Sequence, residues 1–247
     1  MSRYLCDLHV HSCLSPCGDE DMTPGNIVGM ALLNGLQIVA LTDHNSTKNC
    51  PAFFKIAKAH GIIPIAGMEL TTSEDVHAVC LFRDLESAMD FGAYVDDRRF
   101  KIKNEAEIFG RQLIMNEDDE ICGEEEYLLI NASYLSLEDA YREVTARGGV
   151  CYPAHIDRSS SGIISMLGDF PPEPHFTAFE LNDIASLSDC LEKHPILMNR
   201  GLVHVASSDA HYLTDISEQG FAVELEDAPY SSAKVTNALI DYLLGKG

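Results

Sequence analysis

Short apolar runs alternate with amphipathic segments along this chain, the pattern of a parallel βα architecture. Tyr4 to His9 reads as a first strand. Thr23-Pro24 then offers an N-cap residue and a good first helical residue, and the helix is expected to end near Gly35. Gln37 to Thr42 is a second strand, followed by a helix from Asn49 to His60 that stops at Gly61. Ile62 to Glu69 and Val76 to Phe82 read as the third and fourth strands.

From about Asp84 to Leu135 the rhythm breaks, and residues 84–135 are expected to form an insertion, a subdomain or lid within one domain spanning 1–247. Its acidic blocks, Glu117-Asp118-Asp119-Glu120 and Glu124-Glu125-Glu126, read as a solvated helical or hairpin surface rather than a metal-binding tract. Alternation resumes at Ser136-Leu137-Glu138-Asp139, a capping-box-like start to a helix that ends at Gly148-Gly149, before strand Val150 to Pro153. Thr177 to Leu181, Leu202 to Ser207 and Phe221 to Leu225 are further strands, and Ser231 to Leu244 is a terminal helix.

Composition narrows the function. With 247 residues, 46% of them hydrophobic, the chain can bury a proper core. Its 17 Lys and Arg against 39 Asp and Glu leave a formal charge of −22, which repels a long polyanion but not a small phosphorylated molecule. Long nucleic acid is therefore not an expected partner. Eight Cys without a framework pattern, and no apolar leader after Met1-Ser2-Arg3-Tyr4, point to reduced thiols and a cytoplasmic location. No stretch approaches the roughly 20 apolar residues of a membrane span.

Against the strand map the polar residues fall into order. His9 and His11 end the first strand, Asp43 and His44 the second, Glu69 the third and His155 the fifth; Asp209 and His211 follow the seventh, while His77 and Glu180 lie within strands. In a closed parallel barrel the strand C-termini converge on one face, so residues far apart in sequence can meet there. A lone His-x-His is weak evidence, since partly buried hydrogen-bonding histidines are common. Here the same coincidence recurs at five further strand positions. Imidazoles mixed with carboxylates hold divalent transition metals, and this many suggest more than one ion.

Asp7-Leu8-His9-Val10-His11-Ser12, Leu41-Thr42-Asp43-His44-Asn45, Gly67-Met68-Glu69, Pro153-Ala154-His155 and Ser208-Asp209-Ala210-His211 together resemble the successive motifs of the PHP (polymerase and histidinol phosphatase) superfamily. The resemblance implies an α/β fold, a distorted (β/α)7 barrel with the insertion after its fourth strand, and phosphoester hydrolysis with two or three divalent ions such as Zn, Mn or Fe. Carried onto this chain, it implies that His9, His11, Glu69 and Asp209 hold one ion, and that Glu69, His77 and His155 hold a second, with Glu69 shared. His44 and His211 would hold a third. The remaining ligand in many relatives falls at Cys17 here, which leaves three readings open: a Cys17 thiolate, substitution by Asp19 from the same loop, or a weak or empty third position.

Two cations would neutralise phosphate oxygens and acidify a bridging water. Asp43 is then expected to orient a ligand or water, and His211 or a water of the third ion to protonate the leaving group. Arg158 is a candidate clamp for a second phosphate or a carboxylate. Glu180 and Asn182 on the sixth strand face either the site or the core, and an inward Glu180 would support a ligand. Lys48, His60, His175 and His194 are expected to lie on the surface, and His204 to pack in the barrel wall. The expected substrates are a small phosphorylated metabolite, a nucleoside bisphosphate or a short oligonucleotide. Histidinol-phosphate phosphatase, a non-catalytic metal-binding interaction domain and metal-dependent hydrolysis of a carbon–nitrogen bond are the competing readings.

Overall fold

The computed structural model describes residues 1–216, 221–226 and 231–246. β1 (Ser2–Val10), α1 (Pro24–Leu33), β2 (Ile38–Leu41), α2 (Cys50–Ala59), β3 (Ile63–Thr71) and β4 (His77–Phe82) lie within two residues of their expected bounds. Local chemistry sets the ends. Thr23 accepts a bond from the Asn26 amide and caps α1, and Gly35 leaves the helix at φ +68°, where a side chain would be strained.

The six-stranded sheet runs β10-β1-β2-β3-β4-β7 and is joined by a separate parallel pair, β8-β9. These later strands are β7 (Val150–Pro153), β8 (Ala178–Leu181), β9 (Val203–Ala206) and β10 (Phe221–Leu225). Single bonds connect the pair to its neighbours, from the Ile156 amide to the Glu180 carbonyl at 2.9 Å and from the His11 amide to the Ala210 carbonyl at 3.0 Å. The result is a curled half-barrel rather than a closed ring of ladders.

It is also not wholly parallel. β4 pairs antiparallel with both β3 and β7, because residues 72–76 are too few for a crossover and can only turn back. That reversal places His77 opposite Thr71, so β4 begins at the edge where β3 delivers Glu69. A strand running the wrong way thus brings its first residue to the right place.

Alternate residues enter two cores. Val39, Leu41, Met68, Leu70, Ala78 and Cys80 face a core shared with α1 and α2, whereas Leu8, Ile38, Ala40, Ile65, Val79, Leu81 and Tyr152 line the concave side. The terminal helix, numbered last below, closes that concave side with Val235, Leu239 and Leu243. With both faces of the sheet covered, its strands read as nearly continuous apolar runs.

The segment after β4 opens with α3 (Leu85–Asp96), which buries Ala88, Phe91 and Val95 in the same core as α2. Beyond it come α4 (Ala106–Phe109) and a hairpin of β5 (Leu113–Met115) and β6 (Ile121–Glu124). The acids of this hairpin are more than a solvated surface. Asp119 in the turn accepts from the Thr23 hydroxyl at 2.6 Å and the Gly25 amide at 3.0 Å, seating the hairpin on the start of α1. Glu125 is buried and paired with the buried Arg99 at 2.6 Å and with Lys48.

α5 (Leu137–Ala146) starts at the expected capping box of Ser136 and Asp139. Three short helices follow, α6 (Ile163–Leu167), α7 (Leu187–Lys193) and α8 (Pro195–Asn199), and α9 (Ser232–Leu243) completes the described chain. His204 is exposed on β9, not packed in the wall. No helix among the described residues is long and apolar enough to cross a membrane.

Candidate metal centre

Six histidines meet two carboxylates at the edge where β1, β2, β3 and the β7–β8 region end and β4 begins. Glu69 is the hub. Its Oε1 lies 2.8 Å from His77 Nδ1, 3.0 Å from His155 Nε2 and 3.4 Å from His9 Nε2. Its Oε2 lies 2.9 Å from His44 Nδ1 and 3.3 Å from His11 Nε2. One carboxylate therefore faces five imidazoles, which is the arrangement a shared ligand requires.

The His-x-His pair forms the first group with Asp209, whose Oδ1 is 3.3 Å from His9 Nε2 and 3.1 Å from His11 Nε2. The two Nε2 atoms are themselves 3.1 Å apart. Ligands about 2.0–2.2 Å from a common ion lie roughly 3–3.5 Å from one another, so these separations are those of a coordination shell. Asp209 Oδ1, Glu69 Oε2 and His44 Nδ1 are buried yet have no hydrogen-bond partner. Buried polar atoms are rarely left so, and in this donor set a cation is the partner that satisfies all three.

Among the described residues, three groups of donors are close enough to share an ion: His9, His11, Glu69 and Asp209; His44, Glu69 and His77; and His11, His44 and His211. The first is the set expected from the sequence. The second contains Glu69 and His77 as expected and adds His44, while His155 reaches the same Glu69 oxygen. The third joins His44 and His211 as expected but draws on His11, not on Cys17 or Asp19. Cys17 is exposed, and Asp19 Oδ1 accepts the Asp21 amide at 2.9 Å within its own loop.

Electrostatics follow from the crowding. Burial would raise the Glu69 carboxyl, but His77, His9 and His44 hold it well below the usual carboxylate range. Burial likewise opposes ionisation of Asp209, and His9 and His11 outweigh it. Burial works against a charge on His11 too, yet Asp209 and Glu69 raise it to about 9. His44 and His211 go the other way, lowered chiefly by burial to about 3 and about 4, so both are neutral and ready to donate a lone pair at pH 7.

Around this cluster sits a supporting layer. Glu180 is buried on the concave side of β8 and faces the site rather than the core, its Oε1 accepting from His9 Nδ1 at 2.9 Å. His211 Nδ1 donates to the Asp209 carbonyl at 2.8 Å, leaving Nε2 for the cluster. Asp43, expected to orient a ligand or water, accepts the Ser12 amide, the Ser12 hydroxyl and the Ser15 hydroxyl on its carboxylate, each at 2.7 Å. It is a positioning residue turned toward the loop after β1. Ser12 and Ser15 were not singled out from the sequence, although two hydroxyls three residues apart directly after His11 were the available signal.

Arg158 stands at the mouth, 39% exposed at its side chain, and pairs with Asp209 Oδ2 at 2.6 Å and with Asn182 Oδ1 at 2.9 Å. Asn45, His155 and Asp209 adopt positive φ of 48°, 28° and 50°. Left-handed backbone at non-glycine residues costs on the order of 1–3 kcal/mol each and persists where surrounding structure enforces it. That strain clusters at the strand ends that carry the ligands.

Known proteins share parts of this sequence and its fold. An uncharacterized protein of Methanocaldococcus jannaschii is 33% identical over 76 residues, which are 28% of this chain and 44% of that protein. The lesion-specific endonuclease of Pyrococcus furiosus superposes with a TM-score of 0.65 at 17% identity, over 100% of this chain and 57% of the endonuclease. A presumed metal-dependent phosphoesterase of Bifidobacterium adolescentis superposes with a TM-score of 0.59 at 19% identity, over 83% and 87% of the two chains. The match thus spans less than two thirds of the length of the archaeal proteins, and at these identities the structural likeness establishes the fold alone. The sequence profile of the PHP domain matches residues 7–158, more than half of the 247 residues, and the chain belongs to the PHP domain family.

Proposed function

We propose that this protein hydrolyses phosphoesters of small molecules, a phosphorylated metabolite, a nucleoside bisphosphate or a short oligonucleotide, with two or three divalent ions held by its histidine and carboxylate cluster. The observation that carries the reading is Glu69, which belongs to two donor groups at once, one with His9, His11 and Asp209 and the other with His44 and His77. His9, His11 and Asp209 would complete one position, His77 and His155 a second, and His44 with His211 a third. Bound there, divalent ions would supply positive charge for phosphate oxygens and acidify a water for attack.

The chain's own residues do the rest. Glu180 and the Asp43 network orient His9 and His11, and most of the cluster is buried, with only His77 and His211 partly exposed, so that charge acts there more strongly than in water. Arg158 lies where a second anionic group of the substrate would reach, next to Asn182. Its guanidinium would exchange Asp209 for that group and hold it by paired bonds. Nothing in the cluster resembles a serine or cysteine nucleophile, since Ser12 and Ser15 are committed to Asp43.

A non-catalytic interaction domain is the weaker reading, because the donor set is complete apart from the Cys17 position. The test is turnover with added Mn, Zn or Fe on a panel of nucleoside bisphosphates, short oligonucleotides, histidinol phosphate and small amides. Phosphoester cleavage that disappears in His9→Ala and Asp209→Ala is the expected result. Failure to cleave any phosphoester with any of the metals, or unchanged turnover in those variants, sinks the proposal, and cleavage of an amide alone would move it to carbon–nitrogen chemistry.

A further inference from the structure

The hydroxyl of Ser15 lies between Asp43 and His11, 2.7 Å from Asp43 Oδ1 and 2.9 Å from His11 Nδ1, and it also receives the His44 amide at 3.2 Å. Ser15 is fully buried. A serine hydroxyl has one proton to give and two lone pairs to accept with. The proton goes to the Asp43 carboxylate, which has no other use for it than acceptance, since Ser12 already donates to it through both its amide and its hydroxyl. The Ser12 proton is fixed for the same reason: its oxygen accepts from Asn49 Nδ2 at 2.9 Å and from the Leu14 amide at 3.2 Å.

One lone pair of Ser15 takes the His44 amide. The other must then accept a hydrogen bond from His11 Nδ1–H. We infer that Ser15 is the positioning residue that fixes the tautomer of His11, holding the proton on Nδ1 so that Nε2 presents its lone pair to the metal cluster. This goes beyond the reading of the cluster as a metal site and rests on it. His9 reaches the same state by a shorter route, with Glu180 directly on its Nδ1. The two imidazoles of the His-x-His are therefore locked alike, one by a carboxylate and one by a carboxylate acting through a hydroxyl.

The network has a far end. Asn49 also donates to the Leu113 carbonyl at 3.0 Å and accepts the Met115 amide at 2.9 Å, so the hydrogen bonds that set His11 continue into β5 of the hairpin. Asn49 sits at the N-cap position of α2 but makes no side-chain cap bond, because its amide group is spent on this link. The hairpin and the first metal ligands are thereby parts of one bonded net.

The experiment is nitrogen-resolved NMR of the full chain loaded with zinc, together with zinc competition against a chromogenic chelator. In the unaltered protein His11 is expected to show a proton on Nδ1, slow to exchange, with Nε2 coordinated. Ser15→Ala is expected to lose that slow proton and to bind zinc about 10–100-fold more weakly, as removal of such partners does elsewhere. Ser15→Thr, which restores a hydroxyl, is expected to recover both. A proton on Nε2 with Nδ1 coordinated overturns the inference even if Ser15→Ala does not fold, and so does unchanged zinc affinity in a folded Ser15→Ala. Failure of the unaltered chain to bind zinc overturns the metal reading itself, which separates the two.

Discussion

Glu180 Oε1 accepts a hydrogen bond from His9 Nδ1 at 2.9 Å, and both residues are almost fully buried. A carboxylate behind a histidine fixes its ring and raises its basicity toward an ion on the other nitrogen. Glu180→Gln keeps a carbonyl oxygen for the bond but removes the charge, whereas Glu180→Ala removes both. Zinc affinity measured by chelator competition is therefore expected to fall in that order, by up to about 100-fold for Glu180→Ala. Equal affinity in all three proteins would show that Glu180 does nothing for His9.

Replacing the hub separates a shared ligand from an ordinary one. Glu69→Ala takes a donor from every group it faces, so the number of ions retained per chain after dialysis is expected to drop by more than one. His77→Ala touches only one side of Glu69 and is expected to cost at most one ion. Metal content by elemental analysis decides it. If Glu69→Ala loses no more metal than His77→Ala, the carboxylate does not bridge.

Metal uptake is expected to release protons. His9 is raised well above the ordinary histidine range, burial opposing this and Glu180 and Asp209 overcoming it, and His11 is raised to about 9. An imidazole must lose its extra proton to accept an ion, so protons compete with metal below about pH 9. Apparent affinity should rise with pH between about 6 and 8, by up to about tenfold per unit for each imidazole that deprotonates. In the metal-free chain the same raised values stabilise the fold: that contribution is complete below the ordinary value of about 6.5 and is lost as pH climbs through about 9. A metal-free Tm that does not fall between pH 7 and 9, or a pH-independent affinity, contradicts the charge balance drawn here.

Most of the cluster was legible because its residues are point signals. A histidine or acid at a strand end needs no knowledge of packing to be suspected, and His9, His11, Glu69, His77, His155, Asp209, His44 and His211 all converge. Strand direction was less legible. Val76 to Phe82 has the same apolar character whichever way it runs, and only the shortness of the preceding turn, with Asp75 at φ 61°, reverses it. The helices α6, α7 and α8 are too brief for a periodic pattern to register. Ser12 and Ser15 show the deeper reason for what was missed: a hydroxyl acquires its role from which donors and acceptors surround it, and sequence spacing does not state that.

The hairpin turn offers a stability test away from the metals. Asp119 bonds to Thr23 and Gly25 at the start of α1, and a Cβ on Gly25 would come within 2.3 Å of its Oδ2. Asp119→Ala removes a partly buried carboxylate from a helix N-terminus and is expected to cost about 1–2 kcal/mol in denaturant unfolding. Gly25→Ala displaces the same flexible carboxylate but gains helix propensity in the first turn of α1, so it should cost less than Asp119→Ala. The double variant should cost clearly less than the two losses summed, since either change alone already undocks the turn. Additive losses would mean that the two residues act separately.

Arg158 and Asp209 give the last test. Their 2.6 Å ion pair joins a half-exposed guanidinium to a buried carboxylate whose other oxygen faces His9 and His11. If Arg158 holds an anionic group of the substrate, Arg158→Ala should raise KM for a bisphosphorylated substrate about 10–100-fold, the cost of a charge-assisted bond, with a much smaller effect on a monophosphate that has no second group to offer. Arg158→Lys should recover little, because an ammonium cannot span Asn182 and an anion with paired bonds. If Arg158 serves only to steady Asp209, the loss should instead appear in kcat and in metal retention, equally for both substrates. The split between KM and kcat across the two substrates therefore distinguishes a substrate clamp from a support for the ligand.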